Sequence, residues 1–192
     1  MPEAGALSFF GLIAGFILAM VIIFTNSTSA PLICSYSLCQ GLFLGGVTWI
    51  YEQSFPGIGI LAVVLTLVIL GAMLTIYRAG LISWSKNLQI ALGSAVLAIL
   101  VIYLVSIIGM FVGFNVPYIH EANSAGILFS IFVVGIASLC LVADFDFIER
   151  GVERGAPKQL EWRAAFGLMV TLIWLYLEIL KLLAKAAIAS RR

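Results

Sequence analysis

The feature that most limits this chain is its division into long apolar runs. A helix needs about 20 mostly apolar residues to cross a hydrocarbon core about 30 Å thick. Six stretches meet that condition, roughly 6–24, 31–51, 57–77, 88–113, 123–146 and 162–183. In lipid, only helices and closed barrels satisfy every backbone polar group. The alternating ten-residue strands of a barrel are absent from the sequence. The expected fold is therefore all-α, a polytopic membrane helix bundle forming one domain over residues 1–192. Composition agrees: 63% of residues are hydrophobic and 10% charged, against about 25% charged in a soluble domain. The net charge of +1, with no basic cluster interleaved with aromatics, argues against nucleic acid as a partner. No Lys or Arg precedes the first run and no small-residue cleavage site follows it, so that run reads as a permanent span and not a signal peptide.

Turn chemistry separates the runs. Thr25-Asn26-Ser27-Thr28-Ser29 is a short polar link, and Glu52-Gln53-Ser54-Phe55-Pro56-Gly57 ends one helix and starts the next at a Pro-Gly pair. Residues 79–87 and 114–121 form the middle links, and 151–158, with Gly155 and Pro157, is the longest polar connection. Glycines four apart, Gly11 and Gly15, Gly41 and Gly45, Gly109 and Gly113, predict close helix approach in lipid. Cys34, Cys39 and Cys140 fit neither a paired redox motif nor a zinc set and read as small packing residues. If the runs alternate sides, Arg78, Lys86, Arg150, Arg154 and Lys158 share one side, while the opposite loops carry Glu52, His120 and Glu121. The positive-inside rule makes the first side cytoplasmic. Six full crossings would then put the tail, with Lys185, Arg191 and Arg192, outside. Either the tail departs from the rule or the last run stops short of crossing.

Against this apolar background the acids stand out. Asp144 and Asp146 close the fifth run, and Glu178 lies inside the sixth. Ionisable groups within a bilayer are costly and usually face a protein interior or a water path. Asp144 lies about 15 Å from the turn at Gly155, whereas Glu178 would be about 30 Å from Pro157 on a straight helix. If residues 158–163 instead lie along the interface, anchored by Trp162, and the helix starts near Ala165, Glu178 comes within about 5 Å of the level of Asp144. The expectation is that the two meet. Carboxylates in contact cannot both stay ionised without a cation; they titrate as a unit and suit a hard cation such as Ca²⁺. Two competing assignments stand beside this one. Glu178 can pair with Lys181 on its own helix, and Asp146 can be solvated near the loop, with Glu149 and Arg150 one turn on. Thr171 and Trp174 precede Glu178 on the same face, Trp174 as a packing residue, and His120 beside Glu121 reads as a solvated loop residue.

Two acidic motifs carry a family resemblance. Ala143-Asp144-Phe145-Asp146-Phe147-Ile148-Glu149 and Trp174-Leu175-Tyr176-Leu177-Glu178-Ile179-Leu180 resemble the sixth and seventh helices of the Bax inhibitor-1, or transmembrane Bax inhibitor motif, family. Gly41-Leu42-Phe43-Leu44-Gly45-Gly46-Val47, the turn Tyr51-Glu52-Gln53-Ser54-Phe55-Pro56-Gly57, Gly135-Ile136-Ala137 and Gly155-Ala156-Pro157 are similar to its bacterial branch. The resemblance implies a seven-helix fold in which six helices surround a hydrophobic last one. It also implies a pH-dependent Ca²⁺ leak gated by an acidic pair that falls on Asp144 and Glu178. In that comparison the chain opens at the family's second helix, and Glu178 stands where aspartate is common.

The favoured function is accordingly a pH-sensitive Ca²⁺ leak channel in a bacterial cell membrane, with Asp144 and Glu178 as gating and transient Ca²⁺ ligands and Asp146 as a further candidate. The alternative is a structural or regulatory membrane protein that binds partner helices or a membrane protease without transport. An intramembrane aspartyl protease is disfavoured, because the glycine-aspartate motif expected of such enzymes is missing around Asp144 and Asp146. No enzyme activity is expected. Without a Gly-rich phosphate loop and with a single His, no cofactor is expected either. The partners are the lipid bilayer, Ca²⁺ as the permeant ion, and other membrane proteins.

Overall fold

The computed structural model describes residues 2–112 and 123–191. Among them lie six helices: α1 (Pro2–Thr25), α2 (Ala30–Ser54), α3 (Ile58–Arg78), α4 (Lys86–Val112), α5 (Ser124–Glu153) and α6 (Leu160–Ser190). Each is long and apolar enough to cross a membrane. The link that contains His120 and Glu121, together with Gly113, lies outside the described residues. The helices overrun the apolar runs, most clearly at α5, which continues past Asp146 to Glu153. Hydropathy marks where hydrocarbon ends; a helix whose hydrogen bonds are internal can continue into the headgroups.

Local chemistry accounts for the helix ends. Asn123 caps α5, its side-chain oxygen accepting from Gly126 N at 2.7 Å, as an N-cap residue should. At the α2–α3 turn, Gly57 takes φ +86°, a conformation open to glycine. The Glu52 carboxylate accepts from Gly57 N, and from Gly59 N at 3.0 Å, so an acid on the last turn of α2 closes the start of α3, where helix amides point outward. Gly155, at φ +59°, reverses the chain between α5 and α6.

α1 packs on α2, and the pair is joined to the rest through the contact of α2 with α3 and α6. α5 and α6 pack on each other, α3 lies against both, and α4 contacts α5. The interior centres on α5 and α6: Ala137, Leu141, Val142 and Phe145 meet Leu175, Ile179, Leu180 and Ala184, with Ile58, Ala62 and Met73 of α3 beside them. The expected small-residue contact is present at Gly11, where an added Cβ would stand 2.6 Å from Cys39 O and 2.9 Å from Phe43 N. At Gly41 and Gly45 the space is open, so that pair mediates no packing among the described residues. Cys34 is likewise exposed. Large apolar side chains such as Phe16 on α1, Ile60 and Leu67 on α3 and Leu97 and Ile108 on α4 point outward, which suits contact with lipid.

α6 runs the length of the bundle. Near its end, Lys185 Nζ donates to Gly126 O at 3.1 Å and to Ser130 Oγ at 2.8 Å in the first turns of α5, and the Arg191 guanidinium lies 5.0 Å over the Phe55 ring of the α2–α3 turn. The C-terminal cations therefore sit at the end of the bundle opposite the loops that carry Arg78, Arg150 and Lys158.

Candidate functional site

The last two helices hold two separate acidic sites. Glu178 faces inward from α6 and is 1% exposed. The Tyr103 hydroxyl, from α4, reaches both carboxylate oxygens at 3.0 Å. Trp174 Nε1 donates to Oε1 at 3.2 Å, and Lys181 Nζ to the same oxygen at 2.8 Å. Lys181 also lies 4.8 Å from the centre of the Tyr103 ring, a cation–π distance. A buried carboxylate is costly unless its charge is balanced and its lone pairs are filled. Here a neighbouring ammonium supplies the balance, and two aromatic donors help to fill the lone pairs. The i,i+3 spacing explains the ion pair: residues three apart on a helix are neighbours.

Asp144 lies on α5 against the first half of α6. Its neighbours there are Thr171 and Gly167, where an added Cβ would stand 3.4 Å from Asp144 Oδ1. The Thr171 hydroxyl donates to Gly167 O at 3.3 Å. Asp144 Oδ2 is buried without a hydrogen-bond partner among the described residues. The carboxylate lines a cleft of about 330 Å³ that Ile22 and Ile23 of α1, Phe147 of α5 and Arg163 and Phe166 of α6 also line.

The structure does not bring these two acids together. Glu178 lies seven residues beyond Thr171, about 10 Å along the axis, and the two carboxylates share no hydrogen-bond partner among the described residues. The expected meeting required α6 to begin near Ala165. Instead α6 begins at Leu160, so the polar residues Glu161, Trp162 and Arg163 are already helical and Glu178 stands about 27 Å from the helix start.

Asp146 points elsewhere. Its Oδ2 is 2.9 Å from Arg150 Nε in an i,i+4 pair, with the Arg150 side chain 49% exposed. Its neighbour Glu149 accepts from the Tyr77 hydroxyl of α3. Both acids belong to the polar end of α5. A cleft of about 610 Å³, lined by Trp84, Asp146, Arg150, Arg154 and Glu161 among others, opens at the same end.

Sequence reading missed Tyr103, Lys185 and Ser130, and it gave Trp174 the wrong role: the indole is a donor to Glu178. The overlooked signal was a tyrosine and a tryptophan deep in apolar runs, since a buried phenol or indole needs a hydrogen-bond partner. Among the described residues no three His, Cys, Asp or Glu side chains converge on one point. The Bax inhibitor 1 like family matches residues 1–188, and the chain belongs to that family. No curated protein and no solved structure matches the chain.

Proposed function

We propose that this member of the Bax inhibitor 1 like family, a multi-pass membrane protein, is a proton-sensitive Ca²⁺ leak in a bacterial cell membrane. The route follows the α5–α6 seam, with Asp144 and Glu178 as two carboxylate stations in series. The observation that carries this reading is the carboxylate of Glu178, buried at 1% exposure on the same helix that carries the neighbours of Asp144. Hard cations take oxygen ligands, and Asp144 with Thr171 beside it and Glu178 with the Tyr103 hydroxyl of α4 offer oxygens at two levels of α6. With Glu178 sealed from solvent, the conformation described above is the closed one. Ionised stations attract the cation; protonated stations lose that attraction. The test is Ca²⁺ entry into dye-loaded proteoliposomes between about pH 5 and 8, a range over which perturbed carboxylates change charge, for wild type, Asp144→Asn and Glu178→Gln. Flux should rise with pH in the wild type and lose that dependence in each variant; flux no greater than that of empty liposomes would refute the reading.

A second reading has its own observation. The donors gathered on Glu178 make it a tie between α4 and α6, as in a structural or regulatory membrane protein that binds partner helices. Glu178→Gln would then lower stability while a physiological function remained.

A further inference from the structure

We infer that Lys181 is a tethered counter-cation that occupies the place a permeant cation would take on Glu178, so that ion entry requires the lysine to leave. This rests on the leak reading for its consequence, though the occupancy itself can be tested without flux.

The surroundings of the Lys181 ammonium are those of a cation site. It sits 2.8 Å from Glu178 Oε1 and 4.8 Å from the centre of the Tyr103 ring, whose hydroxyl oxygen is 3.0 Å from each carboxylate oxygen. A Ca²⁺ ion bound there would need its ligand oxygens at about 2.3–2.6 Å, and the lysine now blocks the approach to Oε1. Charge points the same way. Glu178 and Lys181 together are neutral, so a divalent ion entering with the ammonium in place would meet a like charge in a low-dielectric core, where such repulsion is strong.

Lys181 is also the partner able to move. Its side chain is 39% exposed, whereas that of Glu178 is 2% exposed. A lysine can carry its ammonium along its flexible stem toward the interface; the glutamate is packed in place. Lys185, one turn on, donates to Gly126 O and Ser130 Oγ of α5, so a second cation lies near the same carboxylate. Competition of this kind is reciprocal: whatever the lysine costs the cation, the cation costs the lysine.

The experiment uses the full chain in detergent with Tb³⁺ as the Ca²⁺ surrogate, its luminescence sensitised by Trp174, whose indole is bonded to Glu178. Lys181→Gln should bind Tb³⁺ about tenfold more tightly than wild type, within the usual range for coupled sites. Lys181→Arg should stay near wild type, and Lys181→Gln with Glu178→Gln should lose the gain. Equal affinity in wild type and Lys181→Gln would overturn the inference. Should Lys181→Gln lose its helical content, acetylation of Lys181 read by peptide mass spectrometry decides instead. Labelling should rise severalfold in wild type on adding millimolar Ca²⁺ and in Glu178→Gln without it; unchanged labelling in both would overturn the inference. The leak reading fails separately. Tighter Tb³⁺ binding in Lys181→Gln with no Ca²⁺ flux from any variant would leave the tethered cation standing and remove the leak. Robust wild-type flux, with Lys181→Gln unchanged in both flux and Tb³⁺ affinity, would do the reverse.

Discussion

Removing the hydroxyl of Tyr103 isolates one link on which the site depends. α4 packs on α5, and the phenol is its tie to α6, with one hydroxyl serving both oxygens of Glu178 at 3.0 Å. Tyr103→Phe keeps the ring beneath Lys181 and leaves Oε2 without the donor seen here. A hydrogen bond to a charged group contributes roughly 1.5–3 kcal/mol in water-soluble proteins. Interhelical hydrogen bonds in membranes average about 0.6 and reach about 1.7 kcal/mol, because the unfolded chain in lipid also finds partners. A donor shared by both oxygens of a buried carboxylate belongs at the upper end, so the expected loss is about 1.5 kcal/mol. Equilibrium unfolding in mixed micelles, followed by circular dichroism, measures it, and a double-mutant cycle with Glu178→Gln separates the bond from packing. The loss should shrink by more than half when Glu178 is already Gln. An equal loss in both backgrounds, or one under about 0.5 kcal/mol in the wild type, would show that the phenol contributes by packing and that the acid does not hold α4.

Two further substitutions separate structure from site. Gly11→Ala would drive a methyl to 2.6 Å from Cys39 O and 2.9 Å from Phe43 N; both are backbone atoms, so overpacking should cost about 1–3 kcal/mol despite the helix-propensity gain. Gly41→Ala meets open space and should be neutral or stabilising by up to about 1 kcal/mol, and unfolding in the same micelles compares the two. Asp146→Asn breaks an ion pair whose arginine is half exposed, so stability should change by less than about 1 kcal/mol, and the pH profile of proteoliposome flux should keep its wild-type form.

Much of this architecture was legible because lipid leaves the backbone few choices. Runs of about 20 apolar residues must be helices, and the Pro-Gly turn and Gly155 do fall between helices. The site was legible only in part. Glu178 and Asp144 were identifiable as acids in apolar surroundings, but which partners they meet depends on helix register. The decisive error was local: 158–163 looked polar enough to lie flat, yet α6 starts at Leu160, and five residues of earlier start move Glu178 by about 7 Å along the axis. Tyr103 could not have been assigned from spacing alone, since it comes from α4 and reaches Glu178 across 75 positions of chain.

That displacement changes what the proposed gate would have to be. Two carboxylates in contact at about 4 Å interact by about 4 kcal/mol at an effective dielectric of 20, enough for one proton to be shared and one titration to dominate. Charges about 10 Å apart, the axial rise from Thr171 to Glu178, interact by about 1.7 kcal/mol at the same dielectric, less than half as much. Each acid must then be compensated locally. Glu178 has Lys181 and the Tyr103 and Trp174 donors, while Asp144 has Thr171 and a cleft that Arg163 also lines. In the proposed leak a cation moving along the seam would trade one set of compensating partners for the other, and Asp144 Oδ2, without a hydrogen-bond partner among the described residues, would make that acid the readier of the two to accept it. Under the proposed leak, closure would lie with the buried Glu178 carboxylate, where the Lys181 ammonium is already in place.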